Sequence, residues 1–199
     1  MPAGGRTDGS SVRAIASGLG ALLLLAAILL MGPSASRADP VPRGSFEGVA
    51  SCAGTTCHGR MEADGAVVRQ DELMRWQEAS TPGGAHSRAF TVLSYARARQ
   101  ITATLGLGDP TSAPACLGCH TTPSGGLTGA RFLTTDGVGC EACHGAAGGW
   151  IASHYTVGAS HAANVSRGMA ALERPATRAA ICLDCHFGSA RPGPSVSRT

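Results

Sequence analysis

Cys140-Glu141-Ala142-Cys143-His144 sets two thiols three positions apart and places an imidazole directly behind the second. The same order recurs at Cys116-Leu117-Gly118-Cys119-His120 and at Cys182-Leu183-Asp184-Cys185-His186. A further copy, Cys52-Ala53-Gly54-Thr55-Thr56-Cys57-His58, has four residues between the thiols instead of two. Together these runs use all 8 cysteines of the 199-residue chain and four of its 7 histidines.

Three chemistries compete for such pairs. An even cysteine count in an exported chain suggests disulfides, but that reading leaves the four adjacent histidines unexplained. Cys116, Cys119, Cys140 and Cys143 have the spacing of a zinc ribbon, which leaves the outer two pairs unused. C-x-x-C-H is the attachment signal of haem c. Two thiols add to the two vinyl groups, and the following imidazole is the proximal iron ligand. That reading accounts for every pair and every adjacent histidine. The wide first loop can present the same groups.

Composition agrees with a haem interior. Charged residues are only 15 %, the net charge is +3, and every basic residue is arginine. No like-charge run exists, which argues against a nucleic-acid partner. The apolar fraction of 43 % is concentrated near the N-terminus, and aromatics are 4 %. Past that block the chain lacks the large side chains of an ordinary core. Glycine, alanine and serine suit close approach of backbone to a macrocycle. The expected fold class is mainly α with extensive loops, a small multihaem cytochrome c fold organised around four covalent haems.

The apolar block reads as a secretory signal. Arg6 and Arg13 precede an uncharged stretch from Ala14 to Met31, Gly32-Pro33 breaks it, and Ser36-Arg37-Ala38 offers a small-residue cleavage site. The expected organisation is a signal peptide over 1–38, a tetrahaem domain over 39–187 and a flexible tail over 188–199. Localisation is then periplasmic or otherwise exported. Membrane contact would come only through the same segment left uncleaved as an anchor.

Each iron needs a ligand beyond the porphyrin and the motif imidazole. His86, His154 and His161 are the remaining histidines, and each is a candidate distal ligand beside the proximal His58, His120, His144 and His186. Three distal imidazoles leave one iron five-coordinate or bound to a thioether. Met61, Met74 and Met169 are the methionines past the signal segment, with Met169 the best placed in sequence.

Local patterns give a coarse map. Residues 39–51 form an extended lead-in and Cys52 to Gly59 the first haem loop. Asp71 to Ala79 suits a short helix, and Pro82-Gly83-Gly84 ends it and presents His86. Residues 87–105 carry apolar positions at helical spacing and stop at Gly106 and Gly108. Pro110 to Gly149 reads mostly as loop. Ser166 to Ala180 is a helical signal interrupted at Pro175. Strand signals are nearly absent.

The run Gly137-Val138-Gly139-Cys140-Glu141-Ala142-Cys143-His144-Gly145 resembles a haem site of the cytochrome c554-type (cytochrome c-552/4 domain) multihaem proteins. The order around it is similar too: a first motif, Trp76 on a short helix, His86, the Cys116 motif, His154 and a last C-x-x-C-H. The resemblance covers about Phe46 to Phe187. It implies a mainly helical periplasmic tetrahaem cytochrome with paired haems, one of which can be five-coordinate. It implies distal roles for His86 and His154, with a weaker match at His161. Two departures are the wide first motif and a chain that stops soon after His186.

The expected function is electron transfer between exported partners, with redox proteins or a quinol-linked donor as partners. Bis-histidine ligation lowers potential relative to His/Met. Two alternatives are a redox enzyme acting on a small nitrogen or oxygen species at one under-ligated haem, and a subunit of a larger assembly joined through haem-edge contacts. No catalytic constellation stands out. Scattered candidates for proton delivery are Asp136 and Glu141 beside the third motif and Asp184 inside the fourth; Asp136 and Glu141 otherwise read as turn and surface residues.

Overall fold

The computed structural model describes residues 44–65, 68–125 and 127–188. The proposed signal segment and the tail from residue 189 onward lie outside these. The described chain is helical segments joined by turns. Its isolated β-bridge pairs Phe46 with Thr128 in parallel. There Phe46 N–H donates to Leu127 O (2.9 Å) and Gly129 N–H to Phe46 O (2.8 Å).

Helix α1 spans Glu72–Gln77. Buried Asp71 precedes it and accepts from the Arg75 guanidinium one turn on, at 3.0 Å. The helix expected over 87–105 is two pieces, a 3₁₀ turn at Thr91–Ser94 and α2 at Ala96–Leu105. Tyr95 between them is extended, and its carbonyl accepts the Ala98 and Arg99 amides that begin α2. Gly106 then closes α2 in the left-handed region (φ 65°), where glycine carries no Cβ penalty.

The stretch expected as loop contains α3 (Pro114–His120) and α4 (Cys140–His144), so the second and third motifs are helical. Helix α5 spans Ile151–His154, α6 His161–Ser166 and α7 Pro175–His186. Pro175 does not interrupt a helix as the sequence suggested. It starts one, at a first-turn position where its missing N–H costs no hydrogen bond.

Side chains alone build little interior. Among the described residues eight hydrophobic ones are buried, and four of them are alanines, Ala113, Ala146, Ala147 and Ala171. The clearest cluster is Ala147, Trp150 and Met169, with Ile151 against it. Met169 is thus a packing residue in this structure. Among the described residues no helix is long and apolar enough to cross a membrane.

One glycine pins the lead-in. Gly48 has φ 83°, and a Cβ there would lie 2.2 Å from Arg131 O. Its N–H also donates to Glu141 Oε2 at 2.7 Å. Gly48→Ala should therefore cost about 1–3 kcal/mol through backbone strain. Urea unfolding of the haem-loaded protein checks this; an unshifted midpoint would mean that the lead-in repacks freely.

Candidate functional site

Helices α3, α4 and α7 each end on a motif histidine: His120, His144 and His186. Within each motif the second thiol is three positions, and the imidazole four positions, past the first thiol. On a helix that spacing puts all three groups on one face. The first motif reaches its shape without an α-helix. Cys57 N–H donates to Gly54 O (2.8 Å), His58 N–H to Cys52 O (3.2 Å) and Gly59 N–H to Gly54 O (3.0 Å). Gly59 has no room for a side chain, since a Cβ would meet Ala53 O at 2.1 Å.

The motifs touch one another in a definite order. The thiols of Cys52 and Cys140 share a hydrogen bond, which raises the Cys52 pKa and lowers that of Cys140. Helix α4 packs on α7, and α3 packs on α7. Cys143 is raised first by burial and then by the Cys182 charge nearby. Cys185 Sγ points to Gly118 O at 4.0 Å. First, third, fourth and second is therefore the spatial sequence of motifs. None of the eight cysteines is joined in a disulfide. Among the described residues no three His, Cys, Asp or Glu side chains close on one ion, so the four ribbon cysteines are not gathered.

Two imidazole pairs stand out. The rings of His58 and His154 are 6.0 Å apart between centres, and those of His86 and His186 are 6.2 Å apart. Metal–imidazole bonds of about 2 Å on opposite faces of one iron put the two ring centres about 6 Å apart. Both separations are close to that value, with the ring planes at 17° in the first pair and 67° in the second. His161 is placed otherwise: its Nε2 lies 2.9 Å from Glu173 Oε2, on an exposed surface.

Partners of the ring nitrogens fix tautomers. His120 Nδ1 donates to Ala89 O at 2.7 Å, and His58 Nδ1 donates to Glu72 Oε2 at 2.9 Å. Both acceptors lack a proton to give, so Nδ1 carries the hydrogen and Nε2 keeps its lone pair for a metal. Burial by itself raises the Glu72 pKa. The His58 bond and the Arg69 N–H (2.8 Å) outweigh it and hold the carboxyl below its usual range. Trp150 packs edge-on against His154, and Asn164 Nδ2 is 3.4 Å from His154 Nδ1. Desolvation, then the His58 and His154 charges, lowers the pKa of His144, which keeps an accessible face.

His86 is positioned from three sides. It follows the 3₁₀ turn Gly83–Ala85, and its carbonyl accepts the Val138 N–H at 3.0 Å. Trp76 Nε1 donates to Val138 O at 2.8 Å. Gly137, at φ 72°, would put a Cβ 2.7 Å from His86 O. The run before the third motif, the tryptophan and His86 are thus one structural unit, though far apart in sequence.

Glu141 corrects the sequence reading outright. It is 4 % exposed, and its carboxylate accepts from Glu47 N (2.8 Å), Gly48 N (2.7 Å) and Ala147 N (2.7 Å). Asp136 is half-buried, with its pKa raised by desolvation. Glu72, Asn164 and the Ala89 carbonyl escaped the sequence reading, because only the fold brings them to a histidine.

Paired thiols with an imidazole behind them are the arrangement by which c-type cytochromes hold covalent haem c. The family model described as cytochrome c554 and c-prime matches residues 51–145. Over that stretch, which holds three of the motifs, the chain is similar to cytochromes c of the c554 type. No curated protein and no solved structure matches the chain.

Proposed function

We propose that the chain is an exported tetrahaem c-type cytochrome that carries electrons between redox partners, with Cys52 and Cys57, Cys116 and Cys119, Cys140 and Cys143, and Cys182 and Cys185 as attachment pairs. The observation that carries it is the pair of imidazole couples at 6.0 and 6.2 Å, each joining one motif histidine to one non-motif histidine. When bound, haem c supplies one-electron chemistry at potentials set by axial ligand, burial and nearby charge. His58 with His154, and His86 with His186, would hold one iron each. His161 is the remaining candidate for the third site, whose His144 feels its charge. His120 is then left without a distal imidazole.

The protein's own contribution is rigid spacing. Helix α7 touches both α3 and α4, and the Cys52–Cys140 contact ties in the first motif. Redox sites held at neighbouring positions in that order suit a carrier whose donor and acceptor dock at different ends. Export rests on the sequence pattern of residues 1–38, and cytochromes c are typically exported.

The test is haem quantification per chain together with a reductive titration of the purified protein. Four haems and four electrons per chain are expected, with rapid exchange to a small redox protein. Fewer than four of either removes the tetrahaem reading. Turnover of a nitrogen or oxygen species by the protein alone would replace the carrier by the enzyme alternative.

A further inference from the structure

We propose that Glu72 is a positioning residue for the first motif: its carboxylate fixes the His58 ring and biases the first site toward its oxidised state. The inference rests on the reading that Cys52, Cys57 and His58 hold a haem.

The first motif differs from the others in having no helix to orient its histidine. His120, His144 and His186 are each the last residue of a helix carrying both of their thiols. His58 closes a set of turns with two more residues in the loop. What orients it comes from α1. Leu73 N–H donates to His58 O at 2.9 Å, and Glu72 Oε2 accepts from Nδ1 at 2.9 Å. Backbone and ring are thus tied to adjacent residues of one helix.

Glu72 is itself held. Its Oε1 accepts the Arg69 N–H at 2.8 Å. The Arg69 and Arg75 guanidinium groups bond instead to Asp71, at 3.3 and 3.0 Å, so neither ion pair consumes the Glu72 charge. That charge is directed at the imidazole. At the second motif the corresponding acceptor is the neutral Ala89 carbonyl, 2.7 Å from His120 Nδ1. A carboxylate behind a ligating imidazole raises its basicity and stabilises the higher charge of a metal on the other nitrogen. The first site should therefore be harder to reduce than the same site with a neutral partner. Solvent reduces the effect, because the Glu72 side chain is 43 % exposed.

The test uses the full haem-loaded chain with Glu72→Gln and Glu72→Ala, and Glu78→Gln as control. Glu78 is exposed and bonds locally to Ser80. Haem per chain is measured by mass, and midpoints by potentiometry followed with electron paramagnetic resonance. In Glu72→Ala one midpoint should rise by a tenfold shift in the ferric/ferrous ratio, about 59 mV for one electron. Glu72→Gln, which keeps an acceptor but not the charge, should shift the same midpoint less. Glu78→Gln should shift none. Unmoved midpoints in both Glu72 variants at full haem content overturn the inference. A wild-type mass showing no haem on Cys52 and Cys57 overturns instead the reading on which it rests. If the alanine variant does not fold, the glutamine variant decides alone.

Discussion

Oxidised His154→Ala protein gains one high-spin ferric signal and loses one low-spin signal, and His86→Ala does the same at a different site. The double variant gains two. These are the largest spectroscopic effects the structure leads one to expect, since removing a distal imidazole leaves the iron with a single strong protein ligand. The two changes are independent, because His154 faces His58 of the first motif and His86 faces His186 of the fourth. Added imidazole should restore the low-spin signal in each. His161→Ala discriminates the third assignment: a new high-spin signal makes it a ligand, and an unchanged spectrum leaves it as the partner of Glu173. A low-spin spectrum retained in either His86→Ala or His154→Ala would remove that residue from the ligand set.

Much of this candidate site is legible in the sequence, because a haem-attachment motif is written locally. Two thiols and an imidazole within five residues declare their chemistry at Cys116, Cys140 and Cys182 without help from distant chain. The helix around each is a consequence of the same spacing. Distal histidines could be counted but not assigned, since assignment depends on which motifs the chain brings face to face. Local pattern also misjudged Pro175 and the 110–149 segment. Proline reads as a breaker unless its place in the first turn is known, and a five-residue helix such as α4 is too short to show periodicity.

Partners at a distance were the least visible. Glu72 looks like one more exposed residue of an acidic helix start until α1 folds back on the first loop, 14 residues away in sequence. Trp76 reads only as a residue of a short helix, yet its indole N–H reaches across 62 positions to Val138. In a chain with so few buried side chains, such polar contacts take over the work that a hydrophobic core performs elsewhere. They have little periodic signature to read.

Glu141 is where that consequence is largest. The lead-in, the third motif and the turn at 147 all meet at its carboxylate, beside the Gly148 N–H bond to Ser45 O (2.9 Å). Glu47 and Ala147 donate to Oε1 and Gly48 donates to Oε2. Ala147 is fully buried and Gly48 is buried, so neither amide can turn to water when the acceptor is removed. Glu141→Ala should cost about 3–5 kcal/mol, taking each bond to a charged acceptor at about 1.5–3 kcal/mol and discounting for relaxation. That is a large share of the roughly 5–15 kcal/mol by which a domain is stable. Glu141→Gln should cost less, because an amide oxygen at the Oε1 position keeps two bonds while its NH₂ opposes the Gly48 N–H. Guanidinium unfolding of the haem-loaded variants gives both values. Midpoints equal to wild type would show that attached haem and the Gly148–Ser45 backbone bond hold these segments together without the carboxylate, whereas a loss in the order alanine, then glutamine, shows that the carboxylate does so within the protein's own chain.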